Sequence, residues 1–413
     1  MSIENMKSTF SAHRLLLVAS LLVKSGIFYA ADVLPTASLS SSVPPSVAVS
    51  NKPLITPSAP TLNAKAYILV DVNSGKIIAE KNSEQKLPPA SLTKMMTLYV
   101  ISNALHNQQI HLNDTIRISR EAWKTGGSRM FVKEGQQVTI EDLLKGIIVD
   151  SGNDACVAMA EHLGGSEQGF AQIMNQQAQS LGMKDSHFTD STGLPDENLY
   201  TTAKDLAILG RALVLNFPQY YHWYKQKWFT YNGIRQPNRN RLLWRDNQVD
   251  GIKTGHTNEA GFCLVSSAKR DNMRLLAVVM GSPTDTARAD DSERLLNYGF
   301  RFFETHELYK GGKAITEIPV YKGAMGKVNV GLRNDQFVTI PNGQYQRLSV
   351  NTKVTQHLQA PIKKGDKVGE LVIKFDNNVI ETQNLYALQE IPKGGLFTRM
   401  KDSIRLAFQG WLG

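Results

Sequence analysis

Two β-prone runs begin the ordered pattern, in AYILVDVNSGKIIAE at residues 66–80, and they flank Asn73-Ser74-Gly75, a hairpin signal. Helical periodicity then takes over. It starts near Ser91, runs through MMTLYVISNAL, and returns in IEDLLKGIIV and in ACVAMAEHL, the last stopped by Gly164-Gly165. Ser166 is placed to cap EQGFAQIMNQQAQSL as far as Gly182, and Thr202 to cap AKDLAILGRALVL ahead of Pro218. Strand patterns come back in VDGIKTGHT, GFCLVSSA and MRLLAVVM, and an amphipathic helix around 286–304 closes the segment. Strands at both ends enclosing a helical middle predict an α+β domain over 64–305, an antiparallel sheet packed with helices.

The texture changes after Glu307. Short alternating runs such as KVNVGL, QFVTI and KVGELVIKF are separated by Gly, Pro and Asn, including the turn Pro341-Asn342-Gly343, which predicts a small all-β domain over 306–392. The tail at 393–413 suits a helix. At 100° per residue Leu396, Phe397, Met400, Ile404, Ala407, Phe408, Trp411 and Leu412 form one apolar stripe, with Arg399, Asp402, Arg405 and Gln409 opposite or at its flanks and Leu406 an exception. Lys393, Arg399, Lys401 and Arg405 outnumber Asp402 there, the pattern of an interfacial membrane anchor, with Phe397, Met400, Ile404, Phe408 and Trp411 as the inserting residues. A helix docked on its own domain is the alternative.

At the other end, Lys7 and Arg14 precede a short apolar run at 15–23, and Ala30 and Ala31 offer a cleavage region, so 1–31 reads as an export signal, with an uncleaved anchor as the alternative. Residues 32–63 are rich in Ser, Pro, Ala and Val and read as a linker. The formal net charge of +9 favours anionic surroundings, but the basic residues are dispersed and no zinc-finger, RNP or helix-turn-helix signature accompanies them, so no nucleic-acid partner is expected. Cys156 and Cys263 make no disulfide framework and are expected to be free and buried. The histidines form no ligand motif and no phosphate-binding glycine loop is present, so neither metal nor cofactor is expected.

Three short stretches carry candidate chemistry. Ser91-Leu92-Thr93-Lys94 sets a hydroxyl and an amine on one helical face, at a helix N-terminus that favours developing negative charge. Ser151-Gly152-Asn153 lies in a connector between helical patterns, where a turn and N-cap would be the ordinary meaning, and Lys253-Thr254-Gly255 lies on a strand. A serine hydroxyl is a poor nucleophile until a base takes its proton, and a lysine can serve only when burial or a second cation lowers its pKa.

In this order and spacing the three stretches resemble the S-x-x-K, S-x-N and K-T-G set of penicillin-binding proteins and serine β-lactamases. With NGIRQPNRNRLLW ahead of VDGIKTGHTNEAGFCLVSSA, the chain from about 66 to 395 is similar to the low-molecular-weight penicillin-binding proteins that are D-alanyl-D-alanine carboxypeptidases. The resemblance implies a periplasmic enzyme, peripheral on the inner membrane. It would remove the terminal D-alanine from peptidoglycan stem pentapeptides through an acyl-enzyme on Ser91, with β-lactams as covalent inhibitors. It further implies roles for Lys94, Ser151, Asn153 and Lys253 in catalysis. Ser151 would relay a proton toward the leaving amine, and Asn153 would orient Lys94 and hold the substrate amide. Thr254, Gly255, His256, Arg239 and Arg288 are expected at the substrate, with Gly255 letting the substrate backbone approach, and the backbone N–H groups of Ser91 and His256 would form an oxyanion hole. Which lysine is the base, and the oligomeric state, stay open. A β-lactamase of class A would need a glutamate in an E-x-x-L-N loop; HFTDSTGLPDENLYTT has Glu197 without that pattern. A non-catalytic wall-binding protein would be expected to lose a motif residue, and none is lost.

Overall fold

A computed structural model describes residues 56–412, with side chains through residue 408. The expected export signal and most of the expected linker lie outside the described residues. Strands β1 (Ala66–Asp71) and β2 (Ile77–Lys81) form the expected hairpin, closed by Gly75 at φ 76°. A helical body follows: α1 (Lys94–His106), a small hairpin of β3 (Thr115–Arg117) and β4 (Gln137–Thr139) with α2 (Arg120–Lys124) inserted, then α3 (Ile140–Lys145), α4 (Asn153–Gly164), α5 (Glu167–Leu181), α6 (Ala203–Asn216) and the short α7 (Pro218–Tyr221). A second hairpin of β5 (Trp228–Tyr231) and β6 (Ile234–Pro237) and the short α8 (Leu242–Arg245) lead back to the sheet through β7 (Val249–Thr257), β8 (Gly261–Arg270) and β9 (Met273–Ser282), and α9 (Asp285–Phe302) completes the domain.

The sheet is wholly antiparallel, in the order β2-β1-β9-β8-β7. Its central strands are apolar on both faces because helices cover both. Ile68, Val70, Leu276, Val278 and Val265 face α1, α4 and α6, while Leu69, Leu275, Val279 and Leu264 face Leu295 and Leu296 of α9. That is why β1 reads as a continuous buried run rather than an alternating one. The predicted caps hold: Ser166 Oγ accepts from Gly169 N at 3.0 Å, Thr202 Oγ1 from Asp205 N at 3.0 Å, and Gly165 ends α4 in the left-handed region.

Order begins earlier than the sequence pattern implied. Leu62 is buried in the core beneath α9, Tyr298 Oη donates to Pro57 O at 2.8 Å, and Asn63 N donates to Asp291. The last residues of the expected linker thus serve as a strap. The β domain also starts sooner, with β10 (Phe303–Tyr309) beginning where α9 ends rather than after residue 305. It continues through β11 (Ala314–Pro319), β12 (Lys327–Gly331), β13 (Gln336–Pro341), β14 (Leu348–Val354), β15 (Lys367–Phe375) and β16 (Asn378–Ala387), in a five-stranded sheet β11-β12-β16-β15-β14 and a β10–β13 pair around one apolar core. Buried Asp71 ties the two domains: it accepts from Ser74 N at 2.7 Å and from Thr305 Oγ1 at 2.9 Å, and Thr339 Oγ1 bonds both Ser74 and Thr305.

The tail is helix α10 (Leu396–Leu412). Its polar side turns back on the β domain, with Asp402 accepting from Lys322 N at 2.5 Å and the Arg405 guanidinium 5.8 Å from the Tyr321 ring. Phe397, Met400, Ile404 and Phe408 are exposed, Phe397 by 86%. Trp411, also expected in that stripe, has a side chain outside the described residues. Among the described residues no helix is long and apolar enough to cross a membrane.

Candidate active site

Ser91 sits on a 3-10 turn, Ala90–Thr93, that leads into α1, so the helix expected to begin at Ser91 begins at Lys94. Ala90 has φ 50°, and Leu92 N donates to Pro89 O at 3.1 Å. Lys94 is wholly buried; its Nζ lies 3.2 Å from Ser91 Oγ and donates to the Thr192 carbonyl at 2.5 Å. The loop that presents Thr192 is built by Asp190, whose carboxylate accepts from the N–H groups of Thr192 and Gly193 at 2.5 and 2.7 Å. A Cβ at Gly193 would meet Ala90 O at 1.9 Å, so only glycine lets this loop lie against the serine turn.

Ser151 ends a π-helical turn, Gly146–Asp150, as its C-cap in a left-handed conformation with φ 61° and ψ 34°, and Gly152, not Ser151, is the N-cap of α4. A serine in that region costs on the order of 1 kcal/mol or more and persists because its surroundings fix it. Here Gly152 N donates to Gly146 O at 3.0 Å and Asn153 N to Ser128 O at 2.7 Å. The result aims Ser151 Oγ at Lys253 Nζ, 3.0 Å away. Asn153 does not contact Lys94 by hydrogen bond. Its Nδ2 donates to Gly126 O at 2.7 Å, so it holds the 126–132 loop at the cleft, a loop also bound by Asp154 through the N–H groups of Met130, Phe131 and Val132. Orientation of Lys94 falls to Thr192, which a sequence motif cannot reveal because the group is a backbone carbonyl.

Strand β7 supplies Lys253, Thr254 and Gly255, all buried, with Lys253 Nζ also donating to Thr254 O at 3.1 Å. Gly255 does more than expected. A Cβ there would lie 2.9 Å from Pro89 O and 3.2 Å from Leu92 N, so the missing side chain also admits the serine's own turn against the strand, while Gly255 itself lines the cleft. His256 is exposed and stacks on Phe262 with ring centres 4.0 Å apart. Arg288 is buried in the cleft wall, where it pairs with Asp285 and donates to Gly255 O and Cys263 O at 3.3 and 3.4 Å, bracing β7. Asn238 and Asn240, both buried, pin the loop between them through Gln226 O and Gly251 O at 3.0 Å each, leaving Arg239 exposed. Arg241 pairs with Asp285 at 2.5 Å, whereas Arg239 forms no ion pair among the described residues.

These groups share one cleft of about 690 Å³, lined by Ser91, Gly127, Ser128, Ser151, Arg239, Thr254, Gly255, His256 and Phe262 among others. The sequence pattern did not flag Gly127 and Ser128. Burial depresses the Lys94 pKa, and burial together with the Lys94 and Arg239 charges depresses that of Lys253 well below the ordinary lysine value. Cys156 is fully buried nearby, its thiol pushed up to about 12 by burial, and Cys263 is free and buried as expected. Among the described residues no cluster of three or more His, Cys, Asp or Glu could hold a metal ion. The geometry offers a hydroxyl beside an amine whose pKa burial depresses, a second hydroxyl–amine pair across the cleft, and unpaired cationic and hydroxyl groups for an anion.

Residues 54–284 match the family model for D-alanyl-D-alanine carboxypeptidase, and 303–393 the model for the penicillin-binding protein 5 C-terminal domain. The chain is 44% identical over 365 residues to D-alanyl-D-alanine carboxypeptidase DacA of Escherichia coli, covering 86% of this chain and 91% of that one. The structure of penicillin binding protein 5 from Haemophilus influenzae superimposes with a TM-score of 0.78 at 42% identity, over 82% of this chain and all of that one. Penicillin-binding protein D2 from Listeria monocytogenes, in its ampicillin-bound form, matches at a TM-score of 0.54 and 28% identity over 58% of this chain and all of that one.

Proposed function

Because the chain belongs to the D-alanyl-D-alanine carboxypeptidase family, we propose that its Ser91 is the nucleophile that releases the terminal D-alanine of peptidoglycan stem peptides. The observation that carries this is the 3.2 Å approach of Lys94 Nζ to Ser91 Oγ, with Ser151 Oγ bonded to Lys253 Nζ on the same cleft. Neutral Lys94 accepts the Ser91 proton as Oγ attacks the carbonyl carbon of the scissile D-Ala–D-Ala bond. The N–H groups of Ser91 and His256 hold the oxyanion. Ser151, charged with a proton through Lys253, protonates the leaving amine, and free D-alanine departs. Once the proton on Lys94 has passed to the Lys253–Ser151 pair and replaced the one lost to the amine, Lys94 is neutral again. It takes a proton from the water that attacks the ester and returns it to Ser91 Oγ, and the shortened peptide leaves. Arg239 and Thr254 bind the terminal carboxylate, since Arg241 and Arg288 are already paired with Asp285.

D-Alanine release from diacetyl-Lys-D-Ala-D-Ala is the test: the native enzyme turns over and Ser91→Ala does not, whereas equal release by both overturns the assignment. β-Lactams acylate the same oxygen. Among the described residues lining the cleft the one carboxylate, Asp285, is ion-paired with two arginines, so no unpaired carboxylate supplements Lys94 in activating a deacylating water, and the penicilloyl ester is expected to persist. Rapid nitrocefin turnover would favour a β-lactamase instead.

The localisation rests on the export-type N-terminus and on α10. Its exposed Phe397, Met400, Ile404 and Phe408 enter the lipid interface while Asp402 and Arg405 hold the β domain, which tethers the enzyme to the periplasmic face of the inner membrane. Truncation before Gly394 is expected to yield active enzyme in the soluble fraction; a truncated form that stays on the membrane contradicts the tether.

A further inference from the structure

The hairpin β5–β6 projects from the rim of the cleft and carries residues the proposed reaction does not use. Its register pairs Trp228 with Pro237 and Thr230 with Arg235, so Trp228, Arg235 and Pro237 stand on one face of the hairpin. Phe229 on the other face is buried and roots it. Pro237 lines the cleft beside Asn238 and Arg239, which sets Trp228 one cross-strand step, about 5 Å, beyond a cleft wall.

Trp228 and Trp244 are 41% and 43% exposed, and their rings meet edge to face at 6.2 Å and 89°. The Arg235 guanidinium is 4.3 Å from the Trp228 ring centre, and Lys227 Nζ is 6.0 Å from that of Trp244. Neither the Arg235 nor the Lys227 side chain forms an ion pair or a hydrogen bond among the described residues. Buried Asn238 and Asn240 anchor the loop that joins the hairpin to α8, so the stepped aromatic surface is pre-formed. Two rigid aromatic rings at right angles, one with the Arg235 guanidinium laid over a face and the other with Lys227 nearby, match a pyranose on the faces left open. A sugar ring offers C–H groups to an aromatic face and ring hydroxyl, acetamido and lactyl oxygens to the donors.

We infer that Trp228, Trp244, Arg235 and Lys227 form a carbohydrate subsite that takes the glycan strand of peptidoglycan while its stem peptide occupies the cleft. The inference rests on the proposed carboxypeptidase function and deepens it. A five-residue stem reaches at most about 18 Å when extended, so a sugar bearing the peptide at Ser91 must fall on surface near the cleft rim.

The test compares full-length enzyme with Trp228→Ala and Trp244→Ala on two substrates, diacetyl-Lys-D-Ala-D-Ala and glycan chains bearing pentapeptide stems. The expected result is a KM raised about tenfold on the glycan substrate, with kcat and the short-peptide kcat/KM unchanged. Oligomers of N-acetylglucosamine without peptide should quench tryptophan fluorescence in the native enzyme, an arm that needs no variant to fold, and Arg235→Ala should weaken that quenching. No quenching, an unchanged glycan KM, or an equal loss on both substrates overturns the subsite. Loss of binding to anionic phospholipid vesicles in the tryptophan variants, with the glycan KM unmoved, makes the patch a membrane contact instead. If the native enzyme released no D-alanine from the short peptide, the failure would lie with the proposed function, which the glycan arm alone does not decide.

Discussion

Adding one methyl group at Gly255 probes the alignment of the site without touching a chemical group. An alanine Cβ there would lie 2.9 Å from Pro89 O, 3.2 Å from Leu92 N and 3.3 Å from Leu92 Cγ. Two of these are backbone atoms of the turn that carries Ser91, and the Pro89 carbonyl is itself tied to Leu92 N. Ordinary contact begins near 3.4 Å, so strand β7 and the serine turn must part by about 0.5 Å (3.4 less 2.9). That separation falls between Ser91 and His256, whose N–H groups must both sit about 2.7–3.1 Å from the oxyanion. Losing one such donor outright costs about 2.7–4 kcal/mol of transition-state stabilisation, so stretching one by half an ångström is expected to cost about 1.5–3 kcal/mol, or about 10- to 100-fold in acylation rate. Overpacking of this kind costs on the order of 1–3 kcal/mol in stability, leaving a folded protein to measure. Stopped-flow acylation of Gly255→Ala by a fluorescent penicillin, with a melting curve alongside, reads both quantities. A variant that acylates within twofold of the native rate would refute the reasoning, because the turn and strand would then be free to shift without consequence.

Lys94→Met removes the proposed base and is expected to abolish acylation, a loss of at least about 100-fold, while sparing the fold. Burial lowers the Lys94 pKa, so its stability penalty is absent above the unfolded lysine value near 10.5 and full below the folded one; the melting temperature of Lys94→Met relative to native should therefore improve more at pH 7 than at pH 10. Asp150, beside Ser151, is buried with one carboxylate oxygen unpartnered, and burial with the neighbouring Asp154 charge raises its pKa to about 7 against an opposing Arg239. Its penalty grows as pH climbs from about 3.8 toward 7, so Asp150→Asn should raise the melting temperature at pH 8 and by less at pH 5, and an equal gain at both would contradict the titration. Cys156 lies fully buried with its thiol pushed up to about 12, so native enzyme at pH 7.5 should resist iodoacetamide while unfolded enzyme reacts at both cysteines; fast labelling of Cys156 without loss of structure would disprove that burial.

Much of this fold is legible from local chemistry. The starts of α5 and α6 follow from Ser166 and Thr202, the end of α4 from Gly165, and the hairpin at Asn73-Ser74-Gly75 from the left-handed glycine it requires. The meeting of the three stretches was legible as well, because two hydroxyl–amine pairs have to be particular side chains, and Ser91 with Lys94 and Ser151 with Lys253 are brought within hydrogen-bond distance. What lay beyond the sequence is held by backbone groups and long-range packing. Ser151 adopts its left-handed shape because Gly146 and Ser128 carbonyls hold its neighbours, and Lys94 is aimed by a carbonyl on a loop 98 residues away. Arg288 was expected at the substrate and does line the cleft, but its pairing with Asp285 and its hydrogen bonds to two backbone carbonyls could not be read from its setting in α9. The strap near Leu62 was invisible because its apolar content is slight and its partners lie on α9.

In the proposed reaction one oxygen, Ser91 Oγ, becomes the acyl carrier. Mixing the enzyme with benzylpenicillin, digesting it and sequencing the adduct by tandem mass spectrometry tests this directly. A single penicilloyl group on Ser91 is the predicted result, and its absence, or its presence on another residue, would contradict the central claim.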